Sequence, residues 1–199
     1  MREHSRTRSV VICGLAIALM SVGAFITVPL PGMMPFTLQT MMLFVILLVL
    51  GPIESMVAVA GYLLLGACGL PVFSGMTGGI AKFAGPTGGF LVGYLICALL
   101  LGGVRILMAL SKRAPRSMRG RVALDLVFVV AACIIYFSLG TLWYSLNMGV
   151  DLPVAFTFCV LPFVVTEPLK IIAALACVQP VRLALGLAAH AGRSKVDRS

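Results

Sequence analysis

Charged residues are scarce in this sequence, and their scarcity excludes an ordinary soluble domain. Only 11% of the 199 residues are charged, whereas 61% are hydrophobic, and the mean hydropathy is +1.13. Soluble domains are about half apolar and about a quarter charged. A bilayer core about 30 Å thick needs about 20 apolar residues per helix, which leaves room for about five to seven spans. The sequence therefore predicts an all-α polytopic membrane protein, with residues 1–199 as a single membrane domain.

The residues that common membrane enzymes require are also missing. The only histidines, His4 and His190, lie near the two ends, so no intramembrane histidine can serve as a general base. The carboxylates within the apolar region are dispersed rather than clustered as a catalytic metal site requires. No G-x-x-x-x-G-K-[ST] phosphate-binding motif is present, so we expect no ATPase activity. These absences favour a binding or transport protein without cofactor or metal, and an oligomeric pore is the alternative.

Cysteine and basic residues show no sign of metal or nucleic-acid binding. The six cysteines are scattered singly without C-x-x-C spacing, which favours packing roles. Lys and Arg outnumber Asp and Glu by 15 to 6, but they cluster in short segments between apolar runs. We interpret them as orientation signals and contacts with anionic lipids of the bilayer, with no nucleic acid as a partner.

Glycine and proline divide the apolar sequence into six predicted spans. These are residues 9–28, 36–50, 53–65, 88–111, 122–146 and 167–187. The first has a basic start, but its 20 uncharged residues and the lack of an A-x-A site favour a retained span over a signal peptide. The outer segment 66–87 is rich in glycine. Irregular backbone at membrane depth is tolerated only beside protein or a watery cavity, so this segment should line or cap a site.

The distribution of basic residues predicts the orientation. Spans 2 and 3 are short enough that one kinked helix, and five spans in all, is an alternative. Six spans with a cytoplasmic N-terminus place 13 basic residues inside and only Lys82 and Lys170 outside. Five spans would send the basic loop 112–121 outside, against the positive-inside rule. We therefore predict six helices with both termini in the cytoplasm, in a cell membrane of the bacterial type.

An acid and a base stand three residues apart at the predicted start of the last span. Thr166 as N-cap and Pro168 in the first turn predict a helix that begins at Glu167. Glu167 and Lys170 then share one helix face and can pair. A structural ion pair or a snorkelling lysine is the alternative to a solute site. Intramembrane ionisable residues are usually functional, so we predict that the pair binds a solute.

Other polar and aromatic residues fall near the same predicted outer surface. Thr37, Gln39 and Thr40 lie at the outer end of span 2. The Gln39 amide can donate and accept hydrogen bonds, although helix capping or interhelical packing is an alternative. Tyr136 and Trp143 share a stripe of span 5 and can form an aromatic wall or belong to the membrane interface. Lys82 is a candidate cation for an anionic ligand or a solvated surface residue.

Span 1 carries a pair of small residues. Gly14 and Ala18 stand four residues apart, a spacing that permits close helix approach. The pair can serve packing within the protein or contact with a partner.

Four ordered strings, over about residues 22–170, resemble one known family. They are SVGAFITVPLPGMMPFTLQT, GLPVFSGMTGGIAKFAGPTGGFLVGY, YFSLGTLWY and PFVVTEPLK. They resemble BioY, the biotin-specific substrate-binding S component of energy-coupling factor (ECF) transporters. The resemblance implies a six-helix S-component bundle that binds biotin near the outer surface, with the loop after helix 1 as a gate. It also implies an ECF transmembrane coupling protein, contacted by Gly14 and Ala18, and cytoplasmic ATPase subunits as partners.

One position departs from the family pattern. The family usually has an aspartate where this sequence has Glu167, so the carboxylate reaches one methylene further. The departure keeps a biotin analogue, a precursor or another vitamin as alternative ligands.

The chemistry of biotin suggests a role for each candidate. We expect Glu167 to accept from the ureido N–H groups and Gln39 or Lys170 to donate to the ureido carbonyl. Tyr136 and Trp143 would enclose the ring. Lys82 would bind the valerate carboxylate. If biotin lies in the reverse orientation, Lys170 binds that carboxylate instead.

Overall fold

A computed structural model describes residues 2–30, 34–111 and 117–184 of the chain. Most of the predicted basic loop and the predicted end of the last span, at residue 187, lie outside these ranges, as do the basic residues 193–198. The described residues form eight α-helices and one antiparallel strand pair. The elements are α1 (Arg2–Phe25), β1 (Thr27–Val28), β2 (Phe36–Thr37), α2 (Gln39–Val49), α3 (Pro52–Ala67), α4 (Ala81–Ala84), α5 (Gly88–Leu110), α6 (Met118–Met148), α7 (Leu152–Cys159), a 3-10 turn (Leu161–Phe163) and α8 (Thr166–Ala184).

Helices α2 and α3 are two antiparallel helices rather than one kinked helix. Leu50 is extended between them, and Pro52 occupies the first turn of α3, where its missing N–H costs nothing. The return of the chain brings Tyr62, late in α3, to Gln39 at the start of α2, and their side chains are hydrogen-bonded at 2.8 Å. The single kinked helix that the five-span alternative placed here is therefore not formed.

Helices α5 and α6 pack closely along their length because glycines face the contact. A Cβ placed on Gly93 would lie 2.9 Å from Tyr136 Cα, and one on Gly89 would lie 2.2 Å from Trp143 Cβ. Further along, the Cys97 thiol donates to the Ala132 carbonyl at 3.4 Å. This close antiparallel contact holds the face of α6 that carries Tyr136 toward the interior of the bundle.

The helices differ in their capacity to cross a bilayer. Among the described residues, Thr7–Phe25, Gly88–Leu110 and Arg119–Met148 are long and apolar enough to do so. The pair Leu152–Phe163 and Thr166–Arg182, bent by 46°, qualifies as a fourth span if taken together, whereas α2 and α3 are shorter apolar helices. The chain is a multi-pass helical membrane protein. Its six-span count and the cytoplasmic location of its termini stay predictions.

Several predicted boundaries differ from the helix ends, and two of the differences have a clear local reason. The first span ends at Phe25 rather than residue 28, because Thr27 and Val28 pair as a strand with Thr37 and Phe36. The last helix begins at Thr166, whose hydroxyl donates to the Phe163 carbonyl at 3.5 Å. The predicted N-cap at Thr166 is therefore not formed, since a cap accepts from a helix N–H.

Candidate functional site

A cavity of about 160 Å³ lies among the ends of α2, α5 and α8 and the middle of α6. The segments that connect the helices close its remaining sides. Its polar lining residues are Thr37, Gln39, Thr40, Ser74, Thr77, Lys82, Thr87, Tyr94, Tyr136, Glu167 and Lys170. Its apolar lining residues are Met34, Pro35, Phe73, Phe90, Leu91, Phe137 and Phe163. Six of the seven predicted binding residues thus line one cavity.

Three hydrogen-bond donors surround the Glu167 carboxylate. Its Oε1 accepts from Lys170 Nζ at 2.5 Å and from the Thr40 hydroxyl at 3.1 Å, and its Oε2 accepts from the Tyr136 hydroxyl at 2.9 Å. Lys170 also donates to Thr40 at 3.1 Å. Side chains from α2, α6 and α8 therefore meet at one carboxylate.

The Glu167–Lys170 ion pair is buried. Both residues are only 5% exposed. Removing an ion from water costs several kcal/mol, so such a pair is retained only when partners replace the lost hydration. The Lys170 ammonium also lies 4.3 Å from the centroid of the Phe36 ring and 5.7 Å from that of Phe163. Cation–π attraction to two rings helps to replace its hydration.

Gln39 is held by a second, separate chain of hydrogen bonds. Its Nε2 donates to the Tyr62 hydroxyl at 2.8 Å, and that hydroxyl donates to the Val72 carbonyl at 2.9 Å. An amide nitrogen carries two N–H donors, so one remains for a ligand. The chain fixes the Gln39 side chain at the edge of the cavity and ties it to the glycine-rich segment.

An aromatic cluster forms the wall around Tyr136. Its ring centroid lies 4.5 Å from that of Phe137, 5.7 Å from Tyr94 and 6.4 Å from Phe90. The Tyr94 ring is nearly perpendicular, at 71°, an arrangement that aromatic pairs favour. Tyr136 is 1% exposed, so it combines a packed ring with a hydroxyl on Glu167.

Trp143 does not line the cavity, although the stripe of span 5 predicted it as part of the wall. Its indole N–H donates to the Gly85 carbonyl at 2.9 Å, and its side chain is 38% exposed. Trp143 lies seven residues, about two helical turns, beyond Tyr136. The two side chains share one face of α6, but Trp143 lies too far along the helix to reach the cavity.

Lys82 lines the cavity from α4. No described residue forms a hydrogen bond or ion pair with its ammonium group, in contrast to Lys170. The cavity therefore contains one cation neutralised by a neighbouring carboxylate and one cation without such a neighbour among the described residues.

Sequence reasoning did not select three contributors to the site. Thr40 bridges Lys170 and Glu167, Tyr94 packs on Tyr136, and Phe163 lies near the Lys170 ammonium. Thr40 stands directly after Gln39, so the polar start of span 2 pointed to it. Tyr94 is the sole tyrosine in an otherwise aliphatic and glycine-rich span, a weaker signal. Phe163 carries no local signal, since its role depends on a tertiary contact.

The segments over the cavity are tied to each other and to the bundle. The Thr27 and Ser74 hydroxyls are 3.2 Å apart, which joins the β1–β2 hairpin to the glycine-rich segment. Met34 N–H donates to the Phe158 carbonyl at 3.4 Å, which joins the hairpin connection to α7. The chain before the last helix forms α7 and then the 3-10 turn, and Phe163 of that turn lines the cavity.

Gly14 and Ala18 lie far from this site on an exposed face of α1. A Cβ on Gly14 would meet nothing within 4 Å. The pair therefore does not serve close packing within the described bundle.

The fold and the cavity define a class: a polytopic helical membrane protein with a solute-sized site of buried charges and aromatic rings. The chain belongs to the BioY family, whose family model matches residues 1–186. The Thermotoga maritima protein named "Biotin transporter BioY" is 38% identical over 168 residues, or 84% of this chain and 91% of that protein. "Biotin transporter BioY2" of Lactococcus lactis subsp. cremoris is 30% identical over 85% of this chain and 87% of that protein.

A solved structure shares the fold. It is described as the S-component for biotin from an ECF-type ABC transporter, and it matches with a TM-score of 0.80. The match covers 92% of this chain and 94% of that chain, at 24% identity.

Proposed function

We propose that this protein binds biotin in the cavity and acts as the biotin-specific S component of an ECF transporter in a bacterial cell membrane. The buried Glu167–Lys170 pair, facing a cavity that Lys82 also lines, carries the proposal. The names of its relatives in the BioY family support it. In this role the protein is a transport subunit and not an enzyme.

The cavity offers a partner for each part of biotin. The Glu167 carboxylate accepts from a ureido N–H, and the ureido carbonyl accepts from Lys170 or from the remaining N–H of Gln39. The rings of Tyr136 and Phe90 pack on the apolar thiophane ring. Lys82 pairs with the valerate carboxylate.

Binding adds or exchanges a hydrogen bond at Glu167. Its Oε1 already accepts from Lys170 and Thr40, and its Oε2 from Tyr136. A carboxylate has about four lone-pair sites, so a ureido N–H can add to the three present donors or replace Thr40. The pair is therefore organised before the ligand enters, which lowers the entropy cost of binding.

Uptake requires partners that hydrolyse ATP. We propose a transmembrane coupling protein that contacts the exposed face of α1 at Gly14 and Ala18, and cytoplasmic ATPase subunits that drive release. Small residues let a partner helix approach closely in a membrane.

The decisive experiment is to purify the full chain in detergent, identify any co-purified ligand by mass, and titrate the stripped protein with labelled biotin. We expect saturable retention that unlabelled biotin abolishes and that thiamine and riboflavin leave unchanged. No measurable retention of biotin by a monodisperse sample would overturn the proposal. Co-purification of a biotin precursor or analogue instead would reassign the ligand while keeping the site.

A flux assay tests the alternative of an oligomeric pore. The chain is reconstituted alone in liposomes, and the release of a small trapped dye is followed with and without biotin. Our proposal expects no release in either condition, whereas biotin-independent release would favour the pore.

A further inference from the structure

A second cavity, of about 440 Å³, lies at the other end of the bundle. Helices α2 and α8 connect the two cavities. Thr40 and Lys170, near their first residues, line the first cavity, whereas Leu48 and Arg182, near their last residues, line the second. By the positive-inside rule, this second end is the one predicted to face the cytoplasm.

Three arginines line the second cavity: Arg105 of α5, Arg121 of α6 and Arg182 of α8. Two of them are held by the carbonyls at the end of α2. Arg105 Nη1 donates to the Leu47 carbonyl at 2.5 Å, and Arg182 Nη2 donates to the Leu48 carbonyl at 2.7 Å. Helix carbonyls at a C-terminus lack partners within their own helix, so these bonds fix both guanidinium groups at the rim.

Positive charge exceeds negative charge in this cavity. Asp125 is the single carboxylate among the described lining residues, and Arg182 binds both of its oxygens, at 2.8 and 3.0 Å. Glu54 lies close enough to act on Arg105 electrostatically, but it does not line the cavity, and it accepts from Ser9 of α1. Among the described lining residues three guanidinium groups thus face one carboxylate, and the Glu54 carboxylate lies against the lining residue Gly51.

We propose that this cavity binds a phosphate group, and that the source is the headgroup of an anionic phospholipid. Guanidinium groups match phosphate geometry and can bind it with two parallel hydrogen bonds. Basic pockets between membrane helices on the cytoplasmic side are a recognised mode of anionic-lipid binding.

The surroundings of the cavity favour a lipid over free phosphate. Leu107 and Leu110 of α5 flank the lining residues Met108 and Ala109 in sequence, and they are 64% and 75% exposed. On α6, the exposed Leu126 follows the lining residue Asp125. Acyl chains that lie along these side chains bring a headgroup to the arginines. The site does not depend on the biotin proposal, since no residue lines both cavities.

Native mass spectrometry of the detergent-purified full chain tests the site. The protein is titrated with phosphatidylglycerol and with phosphatidylcholine, and thermal unfolding is measured with and without inorganic phosphate. We expect one tightly retained phosphatidylglycerol per chain, about five- to tenfold weaker binding in Arg105→Gln and in Arg121→Gln, and recovery in Arg105→Lys. Arg119→Gln is the matched control, because it removes the same charge from an exposed position outside the lining.

Each outcome decides the proposal. Phosphatidylglycerol retention that depends on Arg105 and Arg121 supports a lipid site, and stabilisation by inorganic phosphate without lipid retention supports the phosphate site with a soluble source. Equal retention of phosphatidylcholine overturns the proposal, as does an equal loss in Arg119→Gln. Size-exclusion profiles and a cooperative thermal unfolding transition verify that each variant is folded.

Discussion

The Tyr136 hydroxyl donates to Glu167 Oε2 at 2.9 Å, so that an aromatic residue from the middle of α6 and a carboxylate from the start of α8 form one unit. The other oxygen of the carboxylate binds Lys170 and Thr40. This arrangement gives Glu167 a structural role, which substitutions can separate from the binding role proposed for it.

Replacement of Glu167 by glutamine should weaken both biotin binding and folding. The change leaves the Lys170 ammonium buried without its counter-ion, which costs about 3–5 kcal/mol of stability. Loss of a charge-assisted hydrogen bond to the ligand lowers affinity about ten- to a hundredfold. Biotin titration and thermal unfolding measure the two effects.

Glu167→Asp and Glu54→Gln serve as comparison variants for this prediction. Aspartate keeps the charge but is one methylene shorter, so we expect it to retain more affinity than the glutamine variant. Glu54 lies outside the cavity, so Glu54→Gln should bind biotin normally. Normal affinity in Glu167→Gln would favour a purely structural ion pair.

Tyr136→Phe should separate the hydroxyl from the ring. The ring keeps its contacts with Phe137 and Tyr94, but Glu167 Oε2 loses its donor. We expect a stability loss of about 1–3 kcal/mol and weaker biotin binding. Thermal unfolding and biotin titration measure these, and Tyr144→Phe, on the same helix but outside the cavity, is the control. Equal losses in both variants would contradict a specific role for this hydroxyl.

The orientation of biotin can be read from its methyl ester, which lacks the carboxylate. If Lys82 binds the valerate carboxylate, Lys82→Gln should weaken biotin binding about tenfold and leave binding of the ester unchanged. Lys170→Gln should weaken both ligands, because the ureido ring is present in each. The reverse orientation predicts the opposite pattern: Lys170→Gln would weaken binding of biotin but not of its methyl ester, whereas Lys82→Gln would not distinguish the two ligands. Competitive titration of the two ligands against labelled biotin gives the ratios.

Trp143→Phe should leave the affinity for biotin within about threefold of the parent protein. The substitution removes the hydrogen bond to the Gly85 carbonyl, but the side chain does not line the cavity. Net loss of a neutral hydrogen bond costs about 1 kcal/mol of stability. A loss of affinity beyond tenfold would indicate that Trp143 does contribute to the aromatic wall of the site. The same titration with Phe90→Ala, which removes a lining ring, provides the contrast.

Gly14→Leu should impair assembly without affecting biotin binding. A side chain at Gly14 meets nothing within 4 Å in this protein, so folding should be unchanged. A leucine would hold a partner helix away from α1. Pull-down of the coupling protein and biotin titration measure the two properties. Leu15→Phe adds bulk at an exposed position about 100° round the helix and should assemble normally. Unchanged pull-down of Gly14→Leu would contradict the proposed contact.

The sequence predicted the class of fold and most of the cavity, because both depend on local chemistry. The run of apolar residues marks a membrane helix wherever it occurs, and Glu167 and Lys170 share a face by helical spacing alone. The break between α2 and α3 followed from Gly51 and Pro52. The BioY family was recognised from four ordered strings, and the family model confirmed it.

The remaining features depend on packing between distant segments. Trp143 and Tyr136 share one face of α6, yet only Tyr136 lines the cavity, because Trp143 lies about two turns further along the helix. Tyr62 reaches Gln39 only because α3 folds back on α2, so the spacing of the two residues in the sequence does not predict their contact. The basic residues were interpreted as orientation signals and anionic-lipid contacts. The convergence of Arg105 and Arg182 on the end of α2 could not be predicted, because it requires the tertiary fold.

The shortness of α2 has a consequence for the electric field in the membrane. Thr40 lines one cavity and Leu48 the other, and eight residues of helix span about 12 Å, less than half of a bilayer core. Leu43, Phe44 and Ile46, each at most 1% exposed, fill the layer between them. Where water occupies both cavities, the membrane potential falls mainly across this thin layer. The steepest part of the electric field therefore lies at these three side chains, rather than being spread across the whole bilayer.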